Sequence, residues 1–475
     1  MSEKAIVAKV WNFATILRDS GVSYTDYVAQ ISYLLFLKME NERENIGEHS
    51  KIPENCKWER LMRMDGLELE SAYNSALAQL AESDGVIGLI YKGAQNKIKE
   101  PANLKKLFVL INSETWLGLK VDVKGAIYEG LLAKNATETK AGAGQYFTPR
   151  VLIRCIVELM NPHYNMEICD PACGTGGFLL RAYEVMKKQT NDKEELRKLR
   201  NERLYGKEIT PLVASMCAMN LYLHGIGGDE GIIEVGDSLN ERGNRRFDMV
   251  LTNPPFGKKS ATKILAENGK VKTQKEEYNR EDFFATTSNK QLNFLQHIMN
   301  ILKNGGKAAV VLPDNVLFEA GAGEKVRKRL LEDFNLHTIL RLPTGIFYAQ
   351  GVKANVLFFD KVASEKDATS KVWVYDMRTN MNLSLISNPL SEEHLKDFEN
   401  CYKVGAIELR EESERFRAFS IAEIQKKDKT NLDIFWLKDE SLEDVENLPS
   451  PEVLAREICS HLESALREMR RLGVD

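Results

Sequence analysis

Four consecutive residues, Asn253, Pro254, Pro255 and Phe256, close the apolar run "FDMVLT" and carry functional groups of complementary kinds. A proline fixes φ and removes an N–H, so the carbonyl of Pro254 becomes a rigid acceptor with no donor competing beside it. The side-chain oxygen of Asn253 is a second acceptor. Two acceptors converging on one point suit an exocyclic NH₂ group whose lone pair is to be drawn out of conjugation. Phe256 adds a ring on which a planar base can stack, an interaction worth roughly 1–3 kcal/mol.

Upstream, "EICDPACGTGGFLLRA" sets a glycine-rich turn between a strand-like run and a helix-like run. Such a turn lets backbone N–H groups approach a ligand closely. The pyrophosphate-binding fingerprint requires a sixth-position glycine, and counting from Gly174 through Gly176 arrives at Leu179. Asp170 before Gly174, Thr175, Gly176 and Gly177 suits instead a nucleoside whose amino-acid tail carries a cationic amine. Glu208 ends the next strand-like run, where it can accept from ribose hydroxyls. Asp237 ends the third and can take an adenine amino group. Read one at a time, the turn could be purely structural and Glu208 a solvated surface acid; their positions at successive strand ends favour binding.

The elements that must position these residues are legible from periodicity. Eight apolar runs, "MEICD", "RLYGKEI", "GIIEVGD", "FDMVLTN", "KAAVVLP", "HTILRLP", "NVLFFD" and "KVWVYDM", alternate with helical segments between about 166 and 376. That rhythm predicts a mostly parallel sheet wrapped by helices. The last runs are too close for crossover helices, which predicts an antiparallel edge. One connecting helix, "TPLVASMCAMNLYLHG", has Thr210 as cap, Pro211 at its first position and Gly225 at its stop. Residues 1 to about 135 read as helical, with a capping-box pattern from Ser23 to Asp26 and Val28, Ile31 and Leu35 on one face. "KAGAGQYFTPR" reads as a connector, with Thr148 capping a helix that begins at Pro149. The polar stretch 257–291 reads as a functional lid or a disordered loop. A charged tail from about 441 carries Leu454, Ile458, Leu462, Leu466 and Met469 on one helical stripe.

The chain of 475 residues exceeds what one hydrophobic core sustains, so two or three domains are expected. Its net charge of −4 supplies no global field for holding nucleic acid, so any DNA contact is local or shared with a partner. Seven scattered cysteines without a Cys-x-x-Cys pair indicate a reducing compartment and argue against structural zinc; no metal is expected. The N-terminus lacks a signal-peptide layout and the longest apolar run, "YLLFL", is too short for a bilayer. A cytoplasmic protein without membrane attachment is the expectation.

"DPACGTGGF" with "NPPF" resembles the amino-methyltransferases that use S-adenosylmethionine. The order of the two, with "QYFTPR" ahead of both, is similar to the γ arrangement of the DNA adenine-N6 enzymes. The helical N-terminal part, the chain length and the helical tail together resemble the modification subunit of type I restriction-modification systems. The resemblance implies a helical N-terminal domain (1–140), a Rossmann-like catalytic domain (141–390) and a C-terminal region with a partner-docking tail (391–475). It implies that Gln145, Tyr146, Phe147, Thr148, Pro149 and Arg150 form the cofactor segment, that Thr175, Gly176 and Gly177 make the glycine-loop contacts, and that Glu208 holds the ribose. Asn253, Pro254, Pro255 and Phe256 match the catalytic tetrapeptide, which often ends in Tyr; Phe256 keeps the ring and loses the hydroxyl.

The implied reaction is methyl transfer from S-adenosylmethionine to N6 of an adenine flipped out of double-stranded DNA. Implied partners are a specificity subunit, shared by two modification subunits, and a restriction and translocase subunit. No Gly-x-x-x-x-Gly-Lys-Ser/Thr occurs in the sequence, so ATP-driven translocation is expected of another chain. Three alternatives stay open from residues alone: a free-standing adenine methyltransferase, a methyltransferase acting on a protein glutamine amide, and a non-enzymatic scaffold of the same fold.

Overall fold

The computed structural model describes residue 12, residues 24–116 except 48, and residues 148–438 except 228–230, 257–260, 266–270, 276, 277, 279, 348–350, 386 and 387. The capping box at Ser23, the segment Gln145–Phe147 and the tail stripe lie outside the described residues.

Among the described residues, five α-helices precede the sheet-forming part: α1 (Tyr24–Asn45), α2 (Trp58–Met62), α3 (Gly66–Ala81), α4 (Gly85–Tyr91) and α5 (Pro101–Asn112). The expected stripe on α1 proves too narrow, because Tyr33, Leu34, Leu35, Phe36 and Leu37 are all buried along with Val28 and Ile31. A helix apolar all round belongs inside its unit, and α1 runs through the core formed with Trp58, Tyr73 and Phe108.

The α/β part begins with α6 (Arg150–Met160), followed by β1 (Ile168–Asp170), α7 (Gly177–Lys187), α8 (Lys193–Asn201), β2 (Leu204–Glu208), α9 (Pro211–Leu223), β3 (Ile233–Val235) and β4 (Phe247–Thr252). The N-cap of α6 is Pro149, one residue later than the sequence reading placed it, and no side chain caps that end. Thr148 is committed elsewhere, as described below. α9 follows its punctuation: Pro211 sits in the first turn and Gly225 takes φ +73° just beyond the end. α9 also joins two cores. Met216, Met219, Tyr222 and Leu223 pack into the N-terminal helices, while Cys217 and Leu221 pack under the sheet. Ser215 Oγ donates to the Ile90 carbonyl at 2.6 Å across the same contact.

A two-stranded antiparallel hairpin, β5 (Ala261–Leu265) and β6 (Val271–Lys275), occupies the middle of the stretch read as a lid or disordered loop. The chain continues through α10 (Lys290–Ile301), β7 (Leu302–Pro313), α11 (Asn315–Phe318), α12 (Ala322–Asp333), β8 (Phe334–Arg341), β9 (Ala354–Lys361), β10 (Lys371–Asp376), α13 (Glu392–Tyr402), β11 (Phe416–Ser420) and α14 (Ile421–Gln425).

Nine strands form one sheet in the order β11-β10-β8-β9-β7-β4-β1-β2-β3. All eight apolar runs are strands of it. The antiparallel edge is β11, which the sequence reading missed, and β9 is a second antiparallel strand lying inside the sheet between β7 and β8. The β8–β9 connection doubles back as in a hairpin, and β9 satisfies both neighbours with an unbroken run of buried residues, Ala354 to Phe359. Strand order reverses at β1: the chain steps from β1 outward to β3, then crosses so that β4 pairs with the other side of β1.

Candidate active site

The reversal at β1 decides where a ligand sits, since in open α/β sheets it lies beyond the carboxyl ends of strands at the switch point. β1 and β4 pair in parallel with Ile168 opposite Met249 and Cys169 opposite Val250, so Asp170 at the end of β1 and Asn253, just past the end of β4, lie at the same carboxyl edge of the sheet. A cavity of about 320 Å³ opens over them. Thr148, Asp170, Gly174, Thr175, Gly177, Glu208, Asp237, Asn253 and Pro255 all line it.

The glycine turn is shaped for a close ligand. Gly174 and Gly176 take φ +53° and +83°, which side chains with a Cβ rarely adopt. A Cβ on Gly176 would come within 2.8 Å of Cys217 Sγ, so this glycine serves packing against α9. A Cβ on Gly174 would meet no protein atom within 4 Å, which leaves its approach side to the cavity. Asn220 of α9 steadies the turn by donating to the Thr175 carbonyl at 3.0 Å.

Three carboxylates ring the cavity. Asp170 is buried, and loss of water pushes its carboxyl up to about 7, with the Glu208 charge adding to the rise and the Thr252 hydroxyl and Ala172 N–H pulling against it. A buried carboxylate with so poor a local counter-charge fits a cationic ligand. Glu208 accepts from the Thr210 N–H at 2.9 Å and the Gly174 N–H at 3.2 Å, which fixes the carboxylate at the rim beside the half-exposed Ile209. Asp237 accepts from the Leu239 N–H and from the Tyr278 hydroxyl, both at 2.8 Å.

The Asn253 amide donates through Nδ2 to Thr148 Oγ1 at 2.8 Å, which explains why Thr148 does not cap α6. Pro254 is buried and does not line the cavity, whereas Pro255 lines it and accepts at its carbonyl from Gln291 Nε2 at 3.1 Å. Phe256 is placed differently from expectation. Its ring is 7% exposed and packs edge-on against Phe347 at 5.8 Å, as part of the core beneath the cavity. Pro149 and Arg150 stand at the start of α6 and do not line the cavity.

A glycine turn open to the cavity and a buried carboxylate on its wall fit the amino-acid tail and cationic amine of S-adenosylmethionine. The description "N-6 DNA Methylase" matches residues 119–439, and "HsdM N-terminal domain" matches residues 6–111. The EcoKI methylase subunit of Escherichia coli K12 is 40% identical over all of this chain and 96% of its own length. The chain belongs to the type I restriction enzyme methylase subunits. The StySJI methylase subunit of Salmonella typhimurium is 39% identical over the same shares. Among solved structures, a modification subunit of a type I restriction enzyme from Vibrio vulnificus aligns with TM-score 0.73 at 26% identity, covering 89% of this chain and 93% of the other. The EcoKI M protein aligns with TM-score 0.55 at 36% identity, covering 99% and 97%.

For this methylase subunit, sequence reasoning missed several cavity residues. Ile209 could have been found, because it directly follows Glu208 at a strand end. Tyr278, Lys290 and Phe294 could not, since they reach the cavity from the far side of the inserted hairpin. Arg280 secures that return. It pairs with Asp282 at 2.9 and 2.6 Å and donates to the carbonyls of Ser238 and Leu239, each at 3.4 Å.

Proposed function

We propose that this methylase subunit transfers the methyl group of S-adenosylmethionine to N6 of an adenine flipped from double-stranded DNA, as the modification subunit of a type I restriction-modification assembly. The observation that carries the reading is the pairing of β1 with β4, which sets the Asp170 carboxylate and the Asn253 amide over one cavity. When bound, S-adenosylmethionine supplies an electrophilic methyl group on a sulfonium.

The residues of the chain bind, orient and exclude water. Asp170 accepts from the ammonium of the donor, the backbone of the turn from Gly174 to Gly177 lies against its methionine part, Glu208 accepts from the ribose and Asp237 from the purine. Thr148 closes the cofactor side, and Pro149 and Arg150 contribute by starting α6 directly after it. The Asn253 side-chain oxygen and the Pro254 carbonyl accept from the adenine amino group and draw its lone pair out of the ring, toward the methyl. Pro255 stiffens the turn. Positioning and directed electrostatics of this kind are the chain's contribution to the rate. As the nitrogen–carbon bond forms and the carbon–sulfur bond breaks, the surplus proton on N6 is released to solvent after transfer, so no side chain is assigned as general base. Phe256 stacks on the flipped adenine after its ring leaves Phe347.

The domain plan proposed with this function is a helical unit to about residue 140, a catalytic unit to about 390, and a region from 391 that adds β11 to the sheet before the docking tail. The partners are a specificity subunit shared by two modification subunits, and a restriction and translocase subunit, in the cytoplasm. Among the described residues, no helix is long and apolar enough to cross a membrane.

The test is co-expression with the specificity subunit encoded nearby, followed by mapping of N6-methyladenine. Site-specific methylation is expected from the pair, weak or none from the chain alone. Asn253→Ala in the pair is expected to lower methyl transfer by at least roughly 10²–10³-fold while S-adenosylmethionine still binds; near-normal turnover there would sink the assignment.

A further inference from the structure

Asn253 is planar and two-ended, and which end meets the substrate decides whether it acts as acceptor or donor. A carboxamide offers two N–H donors on one side and one carbonyl oxygen on the other. An adenine amino group needs the oxygen. The nitrogen end, in a residue only 9% exposed, then needs a protein acceptor, because a buried N–H left without one is costly to the fold. The Thr148 hydroxyl stands at that end, 2.8 Å from Nδ2. Thr148 directly precedes Pro149, the N-cap of α6, whose ring fixes the backbone φ there.

We infer that Thr148 is a positioning residue for the reaction: by accepting from Asn253 Nδ2 it turns Asn253 Oδ1 toward the target amino group. This rests on the reading that Asn253 grips that amino group. A hydroxyl has one hydrogen and two lone pairs, so accepting from the amide leaves the Thr148 hydrogen for the cavity that Thr148 also lines. The wall of the cofactor site and the orientation of the catalytic amide therefore share one atom, Oγ1. Serine preserves this acceptor. Valine preserves the shape of threonine and removes the acceptor that faces Asn253 Nδ2, so the orientation with Oδ1 toward the substrate loses that support.

The experiment uses the complex with its specificity partner and a duplex bearing the mapped target. Thr148→Val and Thr148→Ser are compared with wild type in melting temperature, in calorimetric affinity for S-adenosylmethionine, and in single-turnover methylation at saturating donor. With melting temperatures matched, Thr148→Val is expected to lower the saturated rate roughly 30-fold or more, and Thr148→Ser to stay within about threefold of wild type. A readout without turnover accompanies it: with a non-reactive donor analogue, the ratio of affinities for duplexes carrying adenine or purine at the target shifts toward purine by at least about threefold in Thr148→Val, since purine lacks the amino group. A Thr148→Val complex whose loss is confined to donor affinity, with the saturated rate and the adenine-to-purine ratio unchanged, overturns the inference. Absence of N6-methyladenine from the wild-type complex overturns the parent reading, whereas an active wild type with an unaffected valine variant overturns this inference alone.

Discussion

Gln291 Nε2 donates to the carbonyl of Pro255 at 3.1 Å, which ties the first turn of α10 to the turn that carries Asn253. Asn289 caps the same helix, accepting from the Gln291 and Leu292 N–H groups. The proline turn is thus gripped from both sides, by Thr148 at its asparagine and by Gln291 at its second proline. Gln291→Leu removes one buried hydrogen bond, worth about 0.5–1.5 kcal/mol. If that bond acts mainly on the reacting geometry, methyl transfer falls by up to about tenfold with donor affinity unchanged. Steady-state assays of the complex check this, and a change confined to donor KM would refute it.

Asp170 makes donor binding depend on pH. Its carboxyl sits at about 7 in the ligand-free protein, raised chiefly by burial. A cationic amine is met by the carboxylate form, so affinity for S-adenosylmethionine should drop about tenfold for each pH unit below 7. Asp170→Asn should bind weakly and without that slope. The sign for stability is opposite to the usual carboxylate case. The folded state holds a proton between about 3.8 and 7 that the unfolded chain has released, so stability declines as pH rises through that window. Above pH 7 the deficit is roughly 4 kcal/mol, three pH units at about 1.4 each. Asp170→Asn should therefore melt higher than wild type at pH 8 while losing the donor, and a lower melting temperature would contradict the account.

In the proposed binding mode Tyr278 competes with the purine for Asp237. Its hydroxyl donates to Asp237 Oδ2 at 2.8 Å. Tyr278→Phe removes that competitor and should tighten donor binding by up to about tenfold, the equivalent of one hydrogen bond. Calorimetry decides: weaker binding would mean that the hydroxyl belongs to the purine site.

Gly174 and Gly176 should separate function from folding. Gly176→Ala combines positive φ with a 2.8 Å approach to Cys217 Sγ and should destabilise by roughly 2–5 kcal/mol in denaturant titration. Gly174→Ala meets no protein atom, so its destabilisation should stay near the ~1–2 kcal/mol of the left-handed backbone. Its donor affinity should nonetheless fall at least tenfold. Equal stability losses in the two variants would show that the turn is packed alike at both positions.

The parts of the site carried by short runs were legible in the sequence. Asp170, Glu208 and Asp237 each close an apolar run, and period-two or continuous apolar patterning locates such runs without knowledge of their neighbours. Asn253 and the glycine turn were found for the same reason. What escaped depends on partners distant in sequence. β11 is short and only partly buried, and it becomes a strand because β10 has a free edge to pair. Phe256 looks like an exposed ring beside two prolines until Phe347, from the β8–β9 connection, covers it. Thr148 has the composition of a cap, and only the fold brings Asn253 close enough to claim its hydroxyl.

The double commitment of α9 limits how the molecule can deform. Its methionines and Tyr222 fill the N-terminal helical core while Cys217 and Leu221 press on the glycine turn and the sheet. Swivelling the helical unit against the sheet would have to open one of these packed faces, at ~2–5 kcal/mol for each large side chain left facing a void. A shift of the N-terminal helices that keeps both faces packed must therefore carry α9 with it, and with α9 go Asn220 and the glycine loop it steadies.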